Sequence, residues 1–230
     1  MAVSLFGGGT AFAQKLGQLN CTEANRYVEE QRDAWRSVWA DMQVDSLLAE
    51  AVVYPELIRY SYWQDKIEQR IATSSYMLQG SAGADFSVGH FQMKASFVES
   101  LEKRWMRCPL SRQLEIYFDT GQNQMSRKAR MARLTSPFWQ SVYLALFLRL
   151  LYIDFPELSA QAPQEQVRLC ATAYNHGVTW PTTAGSGNLD LLYRWSSATT
   201  YHTDFIPTSS TTFYSYADLA AEYYAIISKL

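Results

Sequence analysis

Three short stretches of the chain gather side chains that could carry chemistry: Tyr54-Pro55-Glu56-Leu57-Ile58-Arg59-Tyr60, Ser87-Val88-Gly89-His90-Phe91-Gln92-Met93-Lys94, and Ala171-Thr172-Ala173-Tyr174-Asn175-His176-Gly177. Glu56 is a carboxyl set among Tyr54, Leu57, Ile58, Tyr60 and Trp63, which together supply a dry wall. Removing water disfavours the charged carboxylate and raises the pKa, the condition for donating a proton to a leaving oxygen near neutral pH. Arg59 works against that shift if it pairs with Glu56 on one helix face, and it is expected to point outward to a different acid. A plainer reading makes Glu56 a helix-start carboxylate behind Pro55, favoured by the local dipole.

Gln92 raises a separate question, because an apolar segment gains nothing from an amide. Its side chain offers two donors and an acceptor, and Gly89 permits a tight turn or a close backbone approach to a ligand. A glutamine capping a nearby helix end is the alternative. Tyr174, Asn175 and Gly177 fit the C-terminus of a helix, which Asn, His and Gly commonly finish. His90 and His176 occupy two of the three stretches as cleft or wall residues, and neither is assigned as acid or base. The 15 Tyr, 11 Phe and 7 Trp would offer faces for stacking on a ligand, although most of these rings must be core.

The elements that must position these side chains read as mainly α. Thr22–Met42 places Tyr27, Val28, Trp35, Val38 and Trp39 at helical spacing. From Asp45 the sequence is apolar on nearly every side, as for a helix through the middle of a domain, with a kink or restart expected at Pro55. Gln64–Leu78 is helical by composition and ends in a glycine-rich turn. Ser96 with Glu99 three residues on predicts a capping box opening the next helix. Further helices are expected near Ser111–Phe118, Ser126–Leu134, Pro137–Asp154, Pro163–Tyr174 and Tyr216–Ser228. Val178–Phe213, rich in Thr, Ser, Gly and Tyr, is expected to form loops with short strands.

Composition excludes several classes of function. A chain of 230 residues with 48% hydrophobic content can bury a real core, and one domain over residues 21–230 is expected. The formal net charge of −2 supplies no global field to recruit nucleic acid or anionic lipid. The basic run Ser126-Arg127-Lys128-Ala129-Arg130-Met131-Ala132-Arg133 is expected to be a solvated helix face. Cys21, Cys108 and Cys170 lack metal-ligand spacing, and Cys170 reads as a buried small hydrophobe. No metal and no cofactor are expected. No segment has the apolar length to span a bilayer. Residues 1–20 read as an export-signal remnant or disordered lead, with Ala-Phe-Ala before Gln14 resembling a signal-peptidase site.

Taken together and in order, the three stretches resemble the lysozyme-like superfamily of lytic transglycosylases and goose-type lysozymes. Those families carry a glutamate at a buried helix end, then a Gly-Leu-Met-Gln turn, then an Ala-Tyr-Asn-Ala-Gly motif. Here Gly89-His90-Phe91-Gln92 stands in the place of the turn, and Ala173-Tyr174-Asn175-His176-Gly177 differs from the later motif by one residue. Ser81-Ala82-Gly83-Ala84 is similar to the run that often precedes the turn, and Tyr216 is a weaker match to a closing tyrosine motif. The chain departs from the pattern with Leu57 where serine usually follows the glutamate, and with a longer interval between Glu56 and Gln92.

The resemblance implies a mainly α, lysozyme-like single domain with a loop-rich C-terminal segment. It implies a peptidoglycan glycan strand as partner and a periplasmic or secreted location. Its implied chemistry is cleavage of the β-1,4 bond between N-acetylmuramic acid and N-acetylglucosamine, with Glu56 as the single general acid and base. Gln92, Tyr174, Asn175, Gly89, His90 and Asp85 form the implied substrate-binding set. A lytic transglycosylase needs no second carboxylate, whereas a goose-type hydrolase positions a water with an acid roughly 6.5–9.5 Å away. Asp85 is the candidate for that acid, and it also fits an ordinary turn residue. A glycan- or wall-binding module that does not cut is the reading from another class.

Overall fold

The computed structural model describes residues 16–62, 75–83, 85–204 and 207–229 of the chain, and these are mainly helical. Trp63 and most of the expected helix over Gln64–Leu78 lie outside the described residues. Helix α1 (Thr22–Asp41) buries Ala24, Val28, Trp35 and Trp39 along one face, the stripe its spacing predicts. Helix α2 (Ser46–Tyr62) follows and carries Glu56. Its residues Ala49 to Ile58 are all buried, so this helix has no wet side along its middle.

Of the kink or restart expected at Pro55 the restart is absent, because α2 runs through Pro55. Proline removes the donor that the Ala51 carbonyl would take within the helix. Beside that gap the Tyr216 hydroxyl donates to the Val52 carbonyl at 2.9 Å. A hydroxyl from another helix thus meets the α2 backbone one residue beyond the missing bond, in a dry environment.

A two-residue hairpin, β1 (Ser87–Val88) with β2 (Met93–Lys94), pairs Val88 with Met93 and carries the Gly89–Gln92 turn at its tip. Helix α3 (Ala95–Met106) starts directly from β2. Ser96 is not its cap: the Ser96 N–H and hydroxyl both donate to Asp85, at 2.9 and 2.7 Å. Glu99 likewise turns away from the helix start and accepts from the Tyr76 and Ser81 hydroxyls at 2.8 and 3.0 Å. The expected capping box is thus replaced by a carboxylate from the preceding loop.

Only a single turn, α4 (Leu110–Gln113), forms where a longer helix was expected. Helices α5 (Gln124–Leu134), α6 (Pro137–Asp154) and α7 (Pro163–His176) follow, with Asn123 and Ser136 capping the first two through their side chains. The nominally irregular stretch after Gly177 contains helix α8 (Leu189–Ser196) and an antiparallel bridge from Tyr201 to Tyr214. Helix α9 (Tyr216–Ile227) closes the fold, with the Ser215 hydroxyl accepting from the Asp218 N–H. Helix α2 packs against α1, α6, α7 and α9, and one connected core runs from Leu16 to Ile227.

The basic run on α5 is solvated only in part: Lys128 is exposed, whereas its arginines are engaged within the protein. Arg130 is fully buried and donates to Glu102 at 2.8 Å and to the Tyr76 hydroxyl at 2.8 Å, while Arg133 reaches Glu102 at 2.8 Å. Arg127 donates to the carbonyls of Met77 and Leu78, ending the helical segment over residues 75–79. These arginines tie α5 to α3, so the charge serves internal packing. Cys21, Cys108 and Cys170 are free thiols. Burial pushes the Cys170 thiol up to about 12, which leaves it a small apolar side chain. Among the described residues no helix is long and apolar enough to cross a membrane.

Candidate active site

Glu56 lies in the middle of α2 with 4% of its surface exposed. Burial raises its carboxyl above the ordinary carboxylate range, and the charges of Arg59 and Lys94 pull the other way without reversing the shift. Arg59 does not point outward to another acid as expected. Its Nη1 reaches both carboxyl oxygens, at 3.4 Å to Oε1 and 3.2 Å to Oε2. Both contacts are long for a charge-assisted pair, consistent with a carboxyl whose environment favours the proton.

Two phenols from other helices sense this carboxyl. Burial first, and the Glu56 charge second, push Tyr174 on α7 well above the ordinary phenol range, and the same two causes act on Tyr216 of α9. Lys94 reaches the carboxyl electrostatically from the foot of the hairpin. Residues from α2, α7, α9 and the hairpin therefore converge on one buried acid, although they are far apart in sequence.

The hairpin tip is held by a glutamine that the sequence reading passed over. Gln140, buried on α6, accepts from the Phe91 N–H at 3.1 Å and donates to the carbonyls of Val88 and Leu134 at 3.1 and 2.6 Å. Gly89 sits at φ 70°, and a Cβ there would overlap the Gln140 amide nitrogen, so glycine is needed both for its backbone and for the space. From the opposite side the Tyr174 hydroxyl donates to the Phe91 carbonyl at 2.7 Å. Phe91 is thereby pinned at both backbone groups, one to α6 and one to α7. The available signal was an amide inside a helix apolar all round, because a buried amide there must find partners.

Gln92 neither caps a helix nor lies in the core. Its backbone N–H and its side-chain Nε2 both donate to the Gly89 carbonyl, at 3.1 and 2.7 Å, and its φ is 49°. A non-glycine residue in the left-handed region costs about 1 kcal/mol, which the doubled bond to Gly89 offsets. One amide hydrogen and the Oε1 acceptor remain uncommitted among the described residues, and the side chain is half-buried. Asn175, one residue beyond Tyr174, is also half-buried and makes no side-chain hydrogen bond among the described residues.

His90 stacks on Tyr27 of α1 with ring centroids 3.8 Å apart and lies 4.1 Å from the Tyr60 ring. Burial lowers its pKa to about 4, so it is a neutral wall ring at physiological pH. His176 is exposed and stacks on Trp195 of α8 at 4.6 Å. Asp85 is held by Ser96 at the start of α3. Glu56, Tyr174, Gly89 and Gln92 are thus tied into one region by Phe91, Gln140 and the shared electrostatics, with His90 on the hairpin tip beside α1. Asp85 serves α3, and His176 serves α8.

The arrangement offers a buried protonatable acid, a turn presenting an amide, and, next to Tyr174 in the chain, an asparagine whose side chain is uncommitted among the described residues. Among the described residues no group of three or more His, Cys, Asp or Glu is placed to hold a metal ion. Comparison with protein-family models, with curated proteins and with solved structures gives no match.

Proposed function

We propose that this chain is a lysozyme-like glycosidase that cleaves the β-1,4 bond between N-acetylmuramic acid and N-acetylglucosamine in peptidoglycan, acting outside the cytoplasmic membrane. The observation that carries the reading is Glu56: a carboxyl in the middle of an apolar helix, raised by burial, and coupled electrostatically to Tyr174, whose hydroxyl donates to Phe91 in the Gly89–Gln92 turn. The order of the three motifs along the chain supports it as well.

In this reading the protonated Glu56 donates to the glycosidic oxygen as the bond to the anomeric carbon breaks. The resulting carboxylate takes the proton of the muramyl 6-hydroxyl, whose oxygen closes onto the anomeric carbon to give a 1,6-anhydro end. Glu56 is then protonated again, and no second carboxylate is used. Asp85 has both oxygens engaged by Ser96, which favours this internal attack over a water held by Asp85. Gln92 and Asn175 would meet the hydroxyl and acetamido groups of the sugars with their uncommitted amides.

The Arg59 contact favours one competing reading, a glycan-binding module in which Glu56 is one half of a structural ion pair. Digestion of purified peptidoglycan followed by mass spectrometry separates the two. The expected result is muropeptides with anhydro ends from the native chain, and a loss of release of at least about 100-fold in Glu56→Gln. Reducing ends instead would assign a hydrolase. Absence of any released fragment from a folded, glycan-binding native chain would overturn the enzyme reading.

A further inference from the structure

We infer that Arg59 is the positioning residue that governs proton release from Glu56, and that the chain's own Tyr201–Tyr214 bridge governs where Arg59 sits. The role of Glu56 as acid rests on the proposed function, whereas the Arg59 coupling does not.

Burial alone would make Glu56 a poor donor, because a carboxyl that cannot tolerate charge does not let its proton go. A cation against the carboxyl stabilises the anion left behind and so balances retention against release. Arg59 supplies that cation at 3.2 Å, from a side chain 15% exposed. Its position is not fixed by α2 alone. The guanidinium lies over the Tyr201 ring, 4.8 Å from the centroid, and its Nε donates to the His202 carbonyl at 3.4 Å.

Tyr201 is fully buried and exchanges backbone hydrogen bonds with Tyr214 at 2.9 and 2.8 Å, directly before α9. The cation is therefore seated by a face from the C-terminal part of the chain, and the carboxyl by α2. Movement of either changes their separation, and with it the proton affinity of Glu56.

Among the described residues few other groups act on Glu56. Lys94 at the foot of the hairpin, Tyr174 of α7 and Tyr216 of α9 interact with it electrostatically. Helix α1 turns Arg32 to Glu50 and Tyr27 to His90. The titratable side chains Tyr143, Arg149, Tyr152 and Asp154 of α6 are engaged by Glu102, Gln43, Gln166 and Arg104. Among the described residues Arg59 is the charged group in direct contact with the acid, and Lys94 is the other cation acting on it.

The test is a direct titration that needs no turnover. In the full chain carrying carbon-13 in its glutamate carboxyls, the Glu56 signal is assigned by its loss in Glu56→Gln and followed from about pH 3 to about pH 10. Arg59→Gln is expected to raise the midpoint by about one unit or more, a tenfold gain in proton affinity. Arg59→Lys keeps a charge and should shift it less, and Tyr201→Leu should shift it upward by a smaller step than Arg59→Gln.

An unmoved midpoint in Arg59→Gln overturns the inference. Should that variant not fold, Tyr201→Leu decides, and an unmoved midpoint there overturns it. A shifted titration in a chain that releases no muropeptides would sink the glycosidase and leave this coupling standing. Cleavage with an unmoved titration would do the reverse.

Discussion

Glu56 on α2 and Glu102 on α3 are both withdrawn from water, at 4% and 0% exposure, yet their surroundings differ in kind. Glu102 accepts from Arg130 and Arg133 at 2.8 Å each and from the Tyr143 hydroxyl at 2.5 Å, three short bonds from α5 and α6. Among the described residues Glu56 is in direct contact with Arg59 alone, at 3.2 and 3.4 Å, with two phenols and a lysine acting on it electrostatically. A buried carboxylate held by several strong donors keeps its charge and binds elements together, while one that is dry and loosely paired is poised to hold or lose a proton. The first arrangement suits a structural joint. The second suits an acid.

Removing the joint should have the largest effect on stability. Glu102→Ala leaves Arg130 buried beside its lost partner, and urea unfolding is expected to show a loss of about 3–5 kcal/mol. A loss below 1 kcal/mol, on the order of a surface pair, would erase the contrast between the two glutamates. Gly89→Ala tests the frame of the candidate site instead. The added methyl meets Gln140 and the φ of 70° disfavours any side chain, so a loss of about 2 kcal/mol or more is expected in the same assay. Gln140→Leu strands the Phe91 N–H and two carbonyls, and about 2 kcal/mol is expected from it also.

Glu56→Gln sharpens the contrast in the opposite direction. With its carboxyl raised, folded Glu56 binds a proton more tightly than the unfolded chain does. Native stability attributable to it is therefore present at low pH and declines as pH rises from the ordinary carboxylate range through the folded value. Glutamine cannot ionise, so the thermal midpoint of Glu56→Gln relative to the native chain should rise as pH climbs through and above the ordinary carboxylate range. A relative fall over that range would mean that Arg59 outweighs burial.

The smallest effect concerns His90. Its folded pKa of about 4 lies below the ordinary 6.5, so the folded chain excludes a proton that the unfolded chain accepts, and stability falls as pH drops through that window. His90→Phe should flatten this part of the curve, measured by thermal melts across the same pH values. An unchanged slope would place the ring in wetter surroundings than its stack on Tyr27 implies.

The helical elements were legible because their cause is local. Pro137 to Asp154 reads as a central helix from its long apolar run, despite Gln140 and Arg149 within it, and the bounds agree with α6. The α1 stripe follows in the same way from the spacing of Val28, Trp35 and Trp39. The site was legible in part, through the unusual company of Glu56 and the amide of Gln92. Nothing local in the sequence showed that Gln140 would thread the hairpin, that Asp85 would displace Ser96 as the cap of α3, or that the arginines of the basic run on α5 would turn inward.

The sequence by itself determined where most of the long helices run, which of their faces are apolar, and that a carboxyl stands where water is scarce, since periodicity and side-chain chemistry act over a few residues. Tertiary structure alone decided what each buried polar group meets. Arg59 turned to Glu56 because Tyr201 and the His202 carbonyl seat it there, and the α5 arginines turned inward because Glu102 lay across from them. Charges in a dry interior must be compensated, and their partners come from whichever helix the fold brings alongside.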